Sequence, residues 1–173
     1  AERILARRPD VRVGIFPKHL KRVEHLGQKL EASGLPWWKR SDATEPRDDG
    51  GVILWDRFGE LKHAYGLAHA AFVGGSLEPL GGQNFLEPIA AGLSPAIGPH
   101  WGNFAWVGRE IIDKKLVRQV TNSDELADVL LFYLSRPRSR TLVRREATKY
   151  LKHRTGGTAK AVELICQHLE SEL

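Results

Sequence analysis

Short apolar runs alternate with amphipathic stretches along almost the whole chain, and this alternation limits the fold more than any other feature. "VRVGIF" (Val11 to Phe16) has strand character and is ended by Pro17. Leu20, Val23, Leu26 and Leu30 then recur at helical spacing until Gly34 and Pro36 close that helix. "GVILW" predicts a buried strand, "GELKHAYGLAHA" a short helix and "AAFVGG" a further strand. "NFLEPIAAG" follows as a helix, "SPAIG" as a strand, "NFAWVGREIIDKKL" as a helix and "VRQV" as a strand. "SDELADVLLFYLSR" predicts a helix capped by Ser123, and two more helices, about Arg138 to His153 and Thr158 to Glu172, finish the chain. "DDGG" (Asp48 to Gly51) reads as a loop tip. Strands and helices alternating at such spacings predict an α/β fold, a Rossmann-like parallel sheet with helices on both faces. Ligands of such sheets bind beyond the carboxyl ends of the strands. The 173 residues suffice for one compact domain, 1–173, with no internal repeat and no second domain in view.

Composition narrows the function. No apolar run is long enough to span a bilayer, and no signal-peptide pattern opens the chain. The single cysteine, Cys166, excludes an internal disulfide and fits a reducing compartment; beside Val162 and Ile165 it reads as a packed core residue. No Cys/His cluster has zinc-ligand spacing, so no metal is expected. The net charge of +5 favours an anionic partner. Much of it lies in Ser135 to Arg154, where Leu142, Val143, Ala147 and Leu151 can face inward while Arg and Lys fan outward. A solvated basic face is one reading and anionic lipid headgroups the other; nucleic acid is not expected, because no recognition motif accompanies the charge. The chain has no methionine, even at residue 1, and "AERILARRPD" reads as the tail of a helix, which suggests a fragment or a processed form.

The densest stretch is "FVGGSLEPLGGQNFLEPIAAGLSPAIGPHWGNF", from Phe72 to Phe104. Gly74 and Gly75 close a strand, and Gly81 and Gly82 precede a helix. Glycines let backbone N–H groups approach an oxyanion, and a helix start adds partial positive charge, so a phosphate cradle is one reading. Asn84 and Glu87 stand three apart on one helical face, where a carboxylate can accept both hydroxyls of a ribose. Equally, Asn84 with Glu87 is a capping-box arrangement that needs no ligand, and glycine pairs mark turns.

The whole string resembles the signature of the 3-deoxy-D-manno-octulosonic acid (Kdo) transferases. The match runs through Phe72-Val73-Gly74-Gly75-Ser76-Leu77, Gly81-Gly82, Asn84, Leu86-Glu87-Pro88, Gly92, Gly98-Pro99-His100 and Asn103-Phe104. "FPKHLKR" and "DRFGEL" are similar to two further family motifs. The resemblance implies the C-terminal, donor-binding half of a two-domain GT-B glycosyltransferase, without the N-terminal acceptor domain, the general base it carries, or the first strand. It implies binding of CMP-Kdo for transfer of Kdo to a lipid A precursor in lipopolysaccharide biosynthesis. The implied setting is the cytoplasmic face of the bacterial inner membrane, touched through the basic helix, and no cofactor is implied. Lys18 and His19 would approach the donor, and Phe58, Gly59 and Glu60 would line its cytidine side. Gly75 and Ser76, with Gly81, Gly82 and Asn84, would meet the phosphate, and Glu87 would hold the ribose.

Four positions depart from the family pattern. Lys18 stands for arginine, Arg57 for threonine, Gln83 for histidine and Phe85 for proline. Lysine offers a point charge where guanidinium offers a fork. The alternatives are another GT-B enzyme using a UDP- or GDP-sugar, a related epimerase, or a non-catalytic nucleotide-binding module. Trp37 and Trp38 read as sheet-edge packing residues, with stacking on a base or lipid as the alternative. His100 and Trp101 either rim the site or serve an ordinary loop, and His63, His69, His153 and His168 read as surface or helix-flank residues.

Overall fold

The structure, a computed structural model, describes residues 1–43, 49–152, 154 and 157–171. Asp48 of the expected loop tip, His153 and the helix end at Glu172 lie outside the described residues. In chain order the first elements are α1 (Glu2–Arg7), β1 (Arg12–Ile15), α2 (Val23–Ser33), β2 (Trp37–Lys39), β3 (Gly51–Leu54) and α3 (Leu61–Leu67). They are followed by β4 (Phe72–Val73), α4 (Leu86–Ala90), β5 (Ala96–Ile97), α5 (Glu110–Asp113), β6 (Arg118–Gln119), α6 (Ser123–Ser135), α7 (Arg140–Leu151) and α8 (Gly157–Ser171). The fold is α/β with parallel strands, as expected. Its strands form two three-stranded sheets in the orders β1-β3-β2 and β4-β5-β6. The chain divides into two compact units, Ala1–Ala70 with Asn122–Pro137, and Ala71–Thr121 with Arg138–Leu173.

In unit 1 the register sets Ile15 beside Leu54 and Leu54 beside Lys39, so the three strands end level. Val52 and Leu54 are fully buried beneath Leu5, Leu30 and Trp37. Full burial of each such aliphatic side chain contributes roughly 1.5–3 kcal/mol. Trp37 sits on edge strand β2, in the packing role expected of it. Helix α6 is capped by Asn122 rather than Ser123. The extended Asn122 accepts from the N–H groups of Asp124 and Glu125 at 3.0 and 2.9 Å.

Unit 2 has two-residue strands over a core of Phe85, Ile89, Ile97, Trp101, Val107, Ile111, Leu116 and Val117. Helix α7 closes this core with Val143, Ala147 and Tyr150; Leu142 and Leu151 are only half-buried. The single helix expected over "NFAWVGREIIDKKL" is instead a 3-10 helix, Gly102–Val107, and the short α5. Gly108 breaks it with φ 88°, a left-handed conformation that favours glycine.

Several arginines of the basic stretch are committed to partners within the protein. Arg140 donates to the Ala91 carbonyl at 3.0 Å, and Arg144 donates to Ala90 and Ala91 at 3.2 and 3.1 Å. These guanidinium groups thereby cap the carbonyl end of α4. Arg138 pairs with Glu146 at 2.8 Å and donates to Ser94 Oγ at 3.0 Å. The expected packing of Cys166 is overturned. Cys166, Val162 and Ile165 are all exposed, because α8 does not bury its apolar side against the described residues.

The Tyr150 hydroxyl donates to the buried Val107 carbonyl at 2.6 Å, tying α7 to the end of the 3-10 helix. Tyr150→Phe is expected to lower stability by about 1 kcal/mol, the usual net value of such a bond, measured by urea denaturation.

Candidate functional site

In unit 2, one buried hydroxyl organises the glycine-rich loop. Ser76 is 1% exposed; its Oγ donates to the Val73 carbonyl and accepts from the Gly98 N–H, both at 2.8 Å. The Ser76 carbonyl in turn accepts from the His100 N–H at 2.9 Å. The side chain of Ser76 is therefore committed within the protein, and only its backbone N–H can serve a ligand. The N–H groups of Gly75, Ser76 and Leu77 have no hydrogen-bond partner among the described residues.

Gly82 plays a different part from the exposed donor expected of it. Its N–H donates to the Gly75 carbonyl at 2.8 Å, and the Gln83 N–H donates to Gly74 at 3.1 Å, closing the loop on itself. Gly81 and Gly82 hold successive left-handed conformations, φ 82° and 79°. A Cβ on Gly82 would lie 3.1 Å from the Trp101 Cα, and one on Gly81 would lie 2.6 Å from the Asn103 amide. The pair is a turn demanded by the chain's own packing, but the Gly81 N–H, unlike that of Gly82, has no hydrogen-bond partner among the described residues. Trp101 is buried beneath it, whereas His100 is exposed.

Asn84 and Glu87 are both exposed and joined, Asn84 Nδ2 donating to Glu87 Oε1 at 2.9 Å. Phe85 is the N-cap of α4; from the position before it, Asn84 Oδ1 accepts from the N–H of Leu86, the first helical residue, at 3.1 Å, while Glu87 does not reach back to the backbone. Glu87 Oε2 has no partner among the described residues. Between them Phe85 is fully buried against Trp101 and Phe104, with ring centres 5.9 and 5.2 Å away. This anchor holds its polar neighbours outward, and it accounts for phenylalanine where the family pattern has proline. With five residues, α4 offers little dipole of its own.

In unit 1, Lys18 and His19 are exposed where β1 gives way to a 3-10 helix at Leu20–Arg22. Phe58 is 71% exposed, Gly59 is exposed and Glu60 is half-buried. Glu60 Oε2 accepts from Arg40 Nε at 3.1 Å and from Trp55 Nε1 at 2.9 Å. Arg40, Trp55, Glu60 and His63 line a pocket of about 350 Å³. Arg40, Trp55 and this use of His63 were not foreseen; the available signal was that Arg40 and Trp55 directly follow strand ends. Nearby, burial pushes the Asp56 carboxyl up, but hydrogen bonds from Ser41 outweigh it and hold the group below its ordinary value. Among the described residues no three His, Cys, Asp or Glu side chains gather as a metal site.

No family model matches the chain. It is similar to a solved structure, the C-terminal CMP-Kdo binding domain of WaaA from Acinetobacter baumannii. The TM-score is 0.76 at 29% identity, over 85% of this chain and 77% of that one. Among curated proteins it is 31% identical over 152 residues to the 3-deoxy-D-manno-octulosonic acid transferase of Bordetella pertussis, covering 87% of this chain. The Haemophilus influenzae transferase of the same name is 30% identical over 96% of this chain. This chain belongs to the Kdo transferase family. It spans 36% and 39% of the length of those two Kdo transferases. Its α/β fold corresponds to the C-terminal half of a GT-B glycosyltransferase.

Gly82→Ala is expected to destabilise the Kdo transferase chain by about 1–3 kcal/mol through its φ and the contact with Trp101. Gly102→Ala, whose added Cβ meets nothing within 4 Å, serves as the control and is expected to shift the thermal midpoint little.

Proposed function

We propose that this chain is the donor-nucleotide part of a Kdo transferase, binding CMP-Kdo for transfer of Kdo to a lipid A precursor in lipopolysaccharide biosynthesis. The observation that carries the reading is its likeness, in sequence and in fold, to the CMP-Kdo binding domain of WaaA. The local chemistry is compatible. Glu87 keeps one unshared carboxylate oxygen for the ribose hydroxyls, oriented by Asn84. The N–H groups of Gly75 and Ser76 are the donors assigned to the phosphate, with Gly81 and Gly82 shaping the loop that carries them. Lys18 and His19 are assigned to the donor's anionic groups, and Phe58, Gly59 and Glu60 to its cytidine.

In this reading the acceptor hydroxyl attacks the anomeric carbon of Kdo with inversion as the bond to the CMP phosphate breaks. Fixed N–H groups and the Lys18 ammonium stabilise charge on departing CMP. A leaving group with one phosphate requires no metal by charge alone. No residue of this chain is assigned the role of general base.

Glu87→Gln is expected to weaken CMP binding by about 1.5–3 kcal/mol in titration calorimetry, the range of charge-assisted hydrogen bonds. Melting should change little, because the bond to the first helical N–H comes from Asn84 Oδ1 and not from Glu87. Unchanged affinity for CMP would remove Glu87 from the ribose site.

The same proposal places the protein at the cytoplasmic face of the inner membrane. Among the described residues no helix is long and apolar enough to cross a membrane. Arg145 and Lys149 of α7 are exposed, unlike the tethered Arg138 and Arg140. Each cation near an anionic surface contributes about 1 kcal/mol. Reversing Arg145 and Lys149 to glutamate is expected to release the chain from phosphatidylglycerol-containing vesicles in co-sedimentation, with CMP binding intact. Equal retention would leave the basic face as a solvated one.

A further inference from the structure

The parallel register of unit 1 sets Ile15, Leu54 and Lys39 level, so Phe16, Trp55 and Arg40 leave the sheet together at its carboxyl edge. Ligands of such sheets gather at this edge. Phe16 stacks on Trp55, with ring centres 4.4 Å apart, and fixes the plane of the indole. Trp55 Nε1 and Arg40 Nε both donate to one oxygen of Glu60, Oε2, at 2.9 and 3.1 Å. The Arg40 guanidinium also lies 5.6 Å from the Trp55 ring centre. The Ser41 N–H, donating to Asp56 Oδ1 at 2.9 Å, ties the same two loops a second time.

This arrangement leaves specific groups over. Glu60 Oε1 and the Nη1 and Nη2 groups of Arg40 have no partner among the described residues. The two side chains are 32% and 34% exposed, and both line the pocket of about 350 Å³. A purely structural ion pair of this chemistry commonly closes in the bidentate form, two N–H groups onto two oxygens. Here one oxygen takes two donors, and an acceptor beside a two-donor fork remains, held as one piece.

We propose that the Glu60–Arg40 pair reads the hydrogen-bonding edge of the donor's pyrimidine, and that Trp55 is its positioning residue. Glu60 Oε1 accepts from the exocyclic amino group, and the Arg40 fork donates to the adjacent ring nitrogen and carbonyl. The order acceptor, donor, donor complements cytosine, whose edge runs donor, acceptor, acceptor. Uracil runs acceptor, donor, acceptor and cannot satisfy all three positions. A carboxylate accepting from the cytosine amino group is an established pairing in nucleic-acid recognition. The inference rests on the reading of the chain as a CMP-type donor domain, and deepens it by naming the groups that select the base.

The test is titration calorimetry of CMP and UMP against the 173-residue chain and its variants, with thermal melts alongside. The wild type is expected to prefer CMP over UMP by roughly ten- to hundredfold, the scale of a charge-assisted hydrogen bond. Glu60→Gln is expected to bring that ratio close to one while UMP affinity holds. Arg40→Ala should flatten it likewise, with partial recovery in Arg40→Lys. Trp55→Phe, which removes the indole N–H but keeps an aromatic ring facing Phe16, should lower the ratio without unfolding the chain. CMP binding with undiminished selectivity in Glu60→Gln and Arg40→Ala overturns this inference alone. Failure of the wild type to bind CMP overturns the donor reading, and this inference with it.

Discussion

The Ser76 hydroxyl, shared between the Val73 carbonyl and the Gly98 N–H, is the interaction on which unit 2 depends. It joins the ends of β4 and β5, two strands of only two residues each, at the level where both chains turn away from the sheet. So short a ladder gives few backbone bonds, and a buried side-chain bridge supplies the alignment the ladder lacks. Gly98 lets the Ser76 backbone approach closely: an added Cβ there would fall within 2.1 Å of its carbonyl oxygen. The loop that leaves this point returns through Gly82 to Gly75, and Phe85 then drives the chain into the core. Asn84 and Glu87 are exposed because Phe85, which lies between them, is buried.

The arginines of α7 have a related effect. A cationic helix of this composition invites an account in terms of an external anion, yet Arg140 and Arg144 spend their donors on the carbonyls that end α4. The five-residue α4 is too short to be stable from its own hydrogen bonds. Guanidinium groups at its carbonyl end and Asn84 at its other end compensate. The charge of this part of the chain is therefore divided between fold maintenance and cations left to solvent, Arg145 and Lys149 among them.

Legibility from sequence was uneven, for physical reasons. The strands "VRVGIF" and "GVILW" were visible because apolar β-branched runs bounded by Gly and Pro have few other solutions. The single helix expected over Asn103 to Leu116 failed at Gly108, where one positive φ outweighed the propensity of the flanking residues. The cap at Asn122 was missed by one position, because Asn122 and Ser123 are both good caps and only the backbone geometry selects between them. Cys166 was expected to be buried on the strength of helical spacing, but spacing says only that a face is apolar, not that anything covers it. Arg40 and Trp55 carried no motif; their meeting at Glu60 depends on the parallel register of β2 and β3.

The sequence by itself determined the α/β alternation, the parallel strands and the family. These follow from local periodicity and from the long ordered string of glycines, Asn84 and Glu87. Tertiary structure decided which groups are left for a ligand. It consumed the Ser76 hydroxyl and the Gly82 N–H, tied three arginines to partners within the chain, and left one oxygen each on Glu60 and Glu87. A hydrogen bond can be made only once, and which donor meets which acceptor depends on distances that span the chain. Residue identity fixes the inventory of donors and acceptors, and the fold fixes the remainder.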